Sequence, residues 1–370
     1  MDLKPFRKRS IRPVKILHLN NEKSWRGGER QTLLLAAGLR DRGVHSVIGC
    51  RPDGLLEAQA HAASVETLPI AGNNFGAALA LVRAARRFDL IHCHTGRGHS
   101  LAAITSGVHG KPFVATRRVD FLPGNSAFNR FKFRKAERVV CISRFIEKQL
   151  SDWGVPTQKL SVIRSAVPIP APSDDRTRRA REWRATLGIS PQTKLVGNIG
   201  ALVGHKDHAT LLRAAKEIRT RRQDVAFVII GEGELKDRLL KLRQELGLTE
   251  AVHFTGFLPR AEELLPAFDV FAMSSCMEGL GSIVLDAFAA GVPVAATAGG
   301  GLPELVRNDQ TGLLGPVGDA PAFAASILRL LDEESLRERL STSARAWLEE
   351  DCSVASMTSG YLEIYGSILK

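Results

Sequence analysis

Short apolar runs alternate with amphipathic stretches along almost the whole chain. In the first half the runs Lys15–Leu19, Ser46–Cys50, Leu90–Cys93, Phe113–Thr116 and Arg138–Ile142 are bounded by polar residues and read as buried strands. Between them a helical spacing of apolar residues predicts helices over Glu29–Asp41, Gly76–Arg87 and Ser126–Ala136. Strands that alternate with helices form βαβ units, so a parallel sheet covered on both faces is expected.

The alternation stops between Ala166 and Pro191, where Pro168, Pro170, Pro172 and Pro191 accompany an Arg-rich stretch with a short helix near Arg178–Leu187. It then restarts. Leu195–Ile199, Val225–Ile230, Val252–Phe254, Val270–Met273 and Val294–Ala296 predict strands; Ala209–Thr220, Leu235–Leu246, Ser282–Ala290 and Ala320–Leu331 predict helices. The pattern therefore predicts two successive α/β halves: residues 1–168, a linker over 169–191, and residues 192–352. A C-terminal helix over 353–370 is expected to complete the first half. No short-period repeat or low-complexity tract interrupts this order.

Composition narrows the class. The 370 residues are 44% hydrophobic and 24% charged, enough apolar side chain for two full cores. The formal charge of +12 favours anionic partners: nucleic acid, lipid headgroups or phosphorylated substrates. A nucleic-acid-binding protein is one alternative on charge alone, but no recognisable DNA- or RNA-binding motif is present. Cys50, Cys93, Cys141, Cys276 and Cys352 are odd in number and form no CxxC pair, which argues for buried thiols in a reducing cytoplasm. The N-terminus is basic (Lys4, Arg7, Lys8, Arg9, Arg12) without the apolar core of a signal peptide, and no run reaches the roughly 18 apolar residues of a membrane span. A cytoplasmic protein, peripheral at the inner membrane, is expected.

Three strand-to-helix junctions carry the candidate chemistry. The first is Ser274–Asp286. Gly279 and Gly281 let the backbone approach a ligand, Ser282 is read as the N-cap of the helix, and the free amides of a helix start can hold phosphate. Glu278 and Asp286 bracket that helix start and can hydrogen-bond sugar and ribose hydroxyls; a capped helix carrying two solvated acids is the competing reading. The second junction, Gly197–Asp207, places Lys206 near a helix start, where it can neutralise a diphosphate or simply face solvent. The third, Trp25–Arg30, carries adjacent Gly27 and Gly28 where a nicotinamide enzyme would have GxGxxG, which argues against a dinucleotide site.

Together these stretches resemble the family 4 retaining glycosyltransferases (glycosyl transferases group 1), which have the GT-B architecture. The resemblance rests on Glu278-Gly279-Leu280-Gly281, an acid eight positions after the Glu, Ala287–Ala290, and Gly291-Val292-Pro293-Val294. It continues through Gly299–Glu304, Thr311–Leu314, Gly231–Gly233 and Gly256–Leu258, and so covers nearly the whole chain. It implies two facing Rossmann-like domains with parallel sheets and an interdomain cleft. It further implies that Glu278 contacts the donor sugar and Asp286 the ribose. The backbone of Gly279, Leu280, Gly281 and Ser282, with Lys206, would hold the diphosphate. Gly256, Phe257 and Leu258 would lie near the base, and Gly28 would let the first domain approach the phosphates. Two positions depart from the family pattern: Asp286 stands where Glu is usual, and Ala201 stands where a phosphate-binding Arg is usual, five positions before Lys206.

Asp89–His94 ends a strand with His92 and His94 on one face. The resemblance gives His94 the place of a histidine that approaches the donor sugar; a packed or capping histidine is the alternative. A His-x-His pair can also bind metal, but the sequence offers no third ligand, so no metal site is expected. Between Thr116 and Arg138, Arg117, Arg118, Arg130, Lys132, Arg134, Lys135 and Arg138 are interleaved with Phe121, Phe128, Phe131 and Phe133. Such a surface can sit on an anionic membrane or hold a phosphorylated lipid acceptor, or it is a core helix with a solvated basic face. The expected activity is transfer of a hexose-type sugar, with retention, from a UDP- or GDP-linked donor to a saccharide or lipid-linked acceptor of the cell envelope, such as lipopolysaccharide. No cofactor or metal is expected, because Lys206 and helix dipoles neutralise the leaving diphosphate. A sugar-nucleotide 2-epimerase of the same architecture is the alternative activity.

Overall fold

The computed structural model of the chain describes residues 14–370 apart from Ala71 and Pro172. The basic N-terminal residues Lys4, Arg7, Lys8, Arg9 and Arg12, and the linker's Pro172, lie outside the described residues. Among the described residues thirteen strands form two sheets. The first contains β1 (Lys15–Leu19), β2 (His45–Cys50), β3 (Glu66–Pro69), β4 (Leu90–Cys93), β5 (Phe113–Arg117), β6 (Arg138–Cys141) and β7 (Leu160–Val162). The second contains β8 (Lys194–Ile199), β9 (Val225–Ile230), β10 (Val252–Gly256), β11 (Val270–Met273), β12 (Val294–Thr297) and β13 (Leu313–Gly315).

Every strand pairing is parallel. The first sheet runs β3-β2-β1-β4-β5-β6-β7, the second β10-β9-β8-β11-β12-β13. Two Rossmann-like sheets in one chain match the two α/β halves of the sequence pattern and the GT-B arrangement that the resemblance implies. Central strands such as β9 (VAFVII) are buried along their whole length, because helices cover both faces. In each sheet the strand order reverses once, between β1 and β4 and between β8 and β11. At such a reversal neighbouring connections leave in opposite directions, and a crevice opens outside the carboxyl ends of the strands.

The connection contains a helix, Asp174–Thr186, which packs on the Ala261–Ala267 turn of the second half. Trp183 lies edge-on to Phe268, and Arg184 pairs with Asp269. At the other end, helix Glu334–Asp351 sets Trp347 against Phe288 in the second half, and the chain then crosses back. Val167 N donates to Cys352 O (3.2 Å), and helix Val354–Ile368 lays Met357, Tyr361 and Tyr365 against Ile16, Leu35 and Leu39. Cys50, Cys93, Cys141 and Cys352 are buried and unpaired, and burial raises their thiol pKa values. None of the described helices is long and apolar enough to cross a membrane.

Candidate active site

The two crevices face one another. Helix Gly27–Arg40 follows β1, and helix Ser282–Ala289 follows β11. A Cβ placed on Gly27 would lie 3.4 Å from Ser282 Oγ, so the two helix N-termini almost touch. Between them lies a cavity of about 270 Å³, lined by Gly27, Gly28, Gln31 and Arg118 from one half and by Lys206, Glu278 and Gly279–Ile283 from the other. Two helix N-termini, with Arg118 and Lys206 outnumbering the single carboxylate of Glu278, make an anion-attracting site.

Local sequence explains this shape. Gly281, at φ 84°, caps the second helix in the left-handed region, and no side chain caps it. This corrects the reading of Ser282 as the N-cap: Ser282 is the first helical residue, since only a left-handed Gly281 turns the chain from Leu280 into the helix. The loop carrying Glu278 is supported from beneath by Gly299–Gly301. A Cβ on Gly300 would fall 2.3 Å from Glu278 O, and Gly301 N donates to that oxygen at 2.8 Å. Glu278 Oε1 accepts from Ser275 Oγ (2.8 Å) and from Lys206 Nζ, which arrives from the tight turn Gly204–Lys206 after β8. The first half clasps both the loop and its support: Ser143 Oγ donates to Gly279 O at 2.6 Å, and Phe145 N to Glu304 Oε1, in the turn after Gly301, at 2.9 Å.

Asp286 is placed differently from its neighbours. It is buried, does not line the cavity, and accepts two hydrogen bonds from Arg30 of the first half, at 2.8 and 2.9 Å. Burial raises its carboxyl pKa, and the Arg30 hydrogen bonds and charge oppose that rise. Gly256, Phe257 and Leu258 follow edge strand β10, two strands from the reversal, and do not line the cavity either. Phe257 is 69% exposed there, while Leu258 packs on the core.

His94 lies behind the cavity, in a hollow of about 60 Å³ with Thr95, His99, Arg117, Arg118 and Lys132. Arg118 borders both spaces. The structure adds a third imidazole that sequence reasoning missed: His18 on β1 pairs in register with His92 on β4. The signal was a polar residue between Leu17 and Leu19 in an otherwise apolar run. Hydrogen-bond chemistry fixes the protons. The guanidinium of Arg118 only donates, so His94 Nδ1, 3.5 Å from Arg118 Nη2, accepts. His94 Nε2 then donates to His18 Nδ1 at 3.0 Å, leaving a proton on His18 Nε2, which is buried without a partner. His92 is held on both sides, by Tyr365 OH (2.6 Å) and Thr116 Oγ1 (2.7 Å), and Thr116 also meets Tyr361 OH at 2.8 Å. Burial lowers His18 to about 3 and His92 and His94 well below the usual histidine range, so all three are neutral at neutral pH. A nitrogen of each lies within 4.8 Å of the others, so His18 supplies the third ligand that the His-x-His pair lacked. Even so, both nitrogens of His92 are already engaged, and a guanidinium stands alongside. The trio is therefore built as a neutral hydrogen-bonded cluster.

The basic, Phe-bearing segment divides. On helix Ala127–Lys135, Phe133 is core, Phe131 is half-buried and Phe128 is exposed; Phe121 and Leu122, in the loop before the helix, are exposed as well. Arg130 lies over Trp153 and donates to Asn125 Oδ1 (2.8 Å); Arg134 and Lys135 face solvent. Lys132 instead turns toward the hollow with His94, where burial and then Arg117 lower its pKa.

Comparison with known proteins fits this geometry. Residues 25–169 match the family described as Glycosyltransferase Family 4, and residues 179–347 match Glycosyl transferases group 1. A lipopolysaccharide core biosynthesis glycosyltransferase of Rhizobium meliloti, LpsE, is 31% identical over 64% of this chain and 66% of its own length. A second from the same organism, LpsD, is 28% identical over 70% of each chain. The crystal structure of Anabaena HepE in complex with UDP-glucose superposes with a TM-score of 0.85 at 22% identity, covering 96% of this chain and all of that one.

Proposed function

Since the chain belongs to the group 1 glycosyltransferases of family 4, we propose that it moves a hexose-type sugar from a nucleoside-diphosphate sugar to an acceptor hydroxyl with retention of configuration. One observation carries this reading: Lys206, Glu278 and two helix N-termini converge on a single cavity between the carboxyl ends of both sheets. Lys206 and Glu278 neutralise each other across the site. A bound donor separates their tasks, with Lys206 on the diphosphate and Glu278 on the sugar hydroxyls. The leaving diphosphate gains charge as the glycosidic bond breaks, and preorganised cations and amides stabilise that charge. They carry out this neutralisation with the protein's own groups. The departing phosphate oxygen takes the acceptor's proton on the face where the acceptor attacks, which retains the anomeric configuration.

Support for a cell-envelope acceptor comes from the two lipopolysaccharide core relatives and from the segment after β5. There Phe121, Leu122 and Phe128 are exposed beside Arg130, Arg134 and Lys135, a pairing suited to a lipid-linked, anionic saccharide at a membrane surface. Lys132 faces the hollow and is left out of that surface.

The test is product analysis by NMR with the purified chain and UDP- and GDP-linked hexoses. The reading expects nucleoside diphosphate release that depends on a lipopolysaccharide-core or lipid-linked acceptor, and an α-linked product from an α-linked donor. Free sugar released without acceptor would point to the epimerase chemistry instead. Cosedimentation with anionic, but not neutral, liposomes at low salt checks the surface, and Arg130, Arg134 and Lys135 changed to Ser should abolish it.

A further inference from the structure

We infer that Arg118 takes over the diphosphate-binding task that the family's Arg performs at the position occupied here by Ala201, so that the second phosphate cation comes from the opposite half of the molecule. The inference rests on the donor reading above. Arg118 leaves the end of β5 and borders the cavity that Lys206 and Ser282 line from across the cleft. A Cβ on Gly28 would sit 3.7 Å from Arg118 Cδ, so the side chain lies along the N-terminus of helix Gly27–Arg40. Among the described residues it pairs with no carboxylate. Its Nε is buried without a partner, and its one side-chain hydrogen bond among the described residues is to His94 Nδ1 at 3.5 Å. Burial lowers its pKa, and the charge of Glu29, which makes no ion pair with it, offsets that only in part. An uncompensated buried cation is costly, and it persists where a ligand supplies the missing anion. Two neighbouring cations are already committed: Arg30 to Asp286, and Lys206 to Glu278.

The ligand class is therefore a nucleoside diphosphate, its phosphates bridging Lys206 of the second half and Arg118 of the first. Because the cations lie on opposite sides of the cleft, charge neutralisation requires the two halves to be together. His94 gains a role through this contact: its Nδ1 lone pair holds Arg118 at the border of the cavity, and the His18 hydrogen bond fixes the tautomer that permits it.

Isothermal titration of the full chain with UDP, GDP, uridine, guanosine and inorganic pyrophosphate tests this. Arg118→Gln should weaken diphosphate binding about 10- to 100-fold, the range of a charge-assisted contact. Binding of the matching nucleoside should stay unchanged, and Ala201→Arg added to Arg118→Gln should restore most of the loss. Unliganded Arg118→Gln should melt at or above the wild-type temperature, because an unpaired charge has been removed; a purely structural role would lower both melting temperature and affinity. Equal diphosphate binding by wild type and Arg118→Gln overturns the inference alone. A wild type that binds neither nucleoside diphosphate overturns the donor reading and this inference with it.

Discussion

Arg30→Met isolates the buried ion pair that joins the two halves beside the cavity. In the wild type both Asp286 oxygens accept from Arg30, at 2.8 and 2.9 Å, and the Asp286 side chain is 8% exposed against 23% for Arg30. Met keeps much of the packing of the Arg stem but removes both donors, stranding a carboxylate with little access to water. Breaking a buried pair from one side costs about 3–5 kcal/mol. At about 2–4 °C per kcal/mol for domains of this size, the melting temperature should fall by about 6–20 °C at pH 7.5. Burial already raises the Asp286 carboxyl pKa, and loss of Arg30 raises it further. An acid with a raised folded-state pKa destabilises the fold above that pKa and not below the unfolded value. The deficit of the variant should therefore be full at pH 7.5 and shrink as pH falls through the carboxylate range. Asp286→Leu in the Arg30→Met background should recover most of the loss, since removing both charges leaves nothing stranded. Differential scanning calorimetry from pH 7.5 to 4.5 measures all three. A melting temperature within about 1 °C of wild type, or a deficit that ignores pH, would refute the reasoning.

Glu278→Gln should nearly abolish transfer, by about 10²-fold or more, while preserving the fold, because Gln still accepts from Ser275 but loses the charge facing Lys206 and the sugar; steady-state kinetics and circular dichroism check the two halves of that statement. Lys206→Ala should raise KM for the donor and lower kcat, because a fixed cation matters more as the leaving group gains charge; unchanged constants would make Lys206 merely the partner of Glu278. His18, His92 and His94 have lowered pKa values, so the folded chain excludes protons that the unfolded chain takes up. Stability should be level above about pH 6.5 and fall below it, by up to about 1.4 kcal/mol per pH unit per histidine. His18→Leu should flatten that slope in pH-dependent urea melts.

The strands that the apolar pattern missed are β3, β7 and β13, and each is a sheet edge. An edge strand is covered on fewer sides, so it can be short and half polar: Glu66–Pro69 ends in proline, and the other two have three residues each. Central strands such as Val225–Ile230 were legible because both of their faces are buried. At the site, Gly28, Lys206, Glu278 and Gly279–Ser282 come together because strand-to-helix junctions at the two order reversals are local in sequence. What stayed hidden depends on contacts between distant segments. The Arg30–Asp286 pair spans 256 positions and the His18–His94 bond 76, and no spacing rule reports either. Arg118 was visible only as one cation in a basic stretch, since its isolation from any carboxylate is a property of the fold.

The central claim is that the cavity between the two sheets binds a nucleoside-diphosphate sugar. A thermal-shift titration of wild type and Lys206→Ala with UDP- and GDP-linked hexoses tests it most directly. A ligand that binds only the folded state adds about 2.7 kcal/mol at one hundred times its Kd. The account predicts that at least one sugar nucleotide raises the wild-type melting temperature by several degrees, and that Lys206→Ala needs a markedly higher concentration for the same shift. No stabilisation by any of them, or equal stabilisation of both proteins, would contradict it.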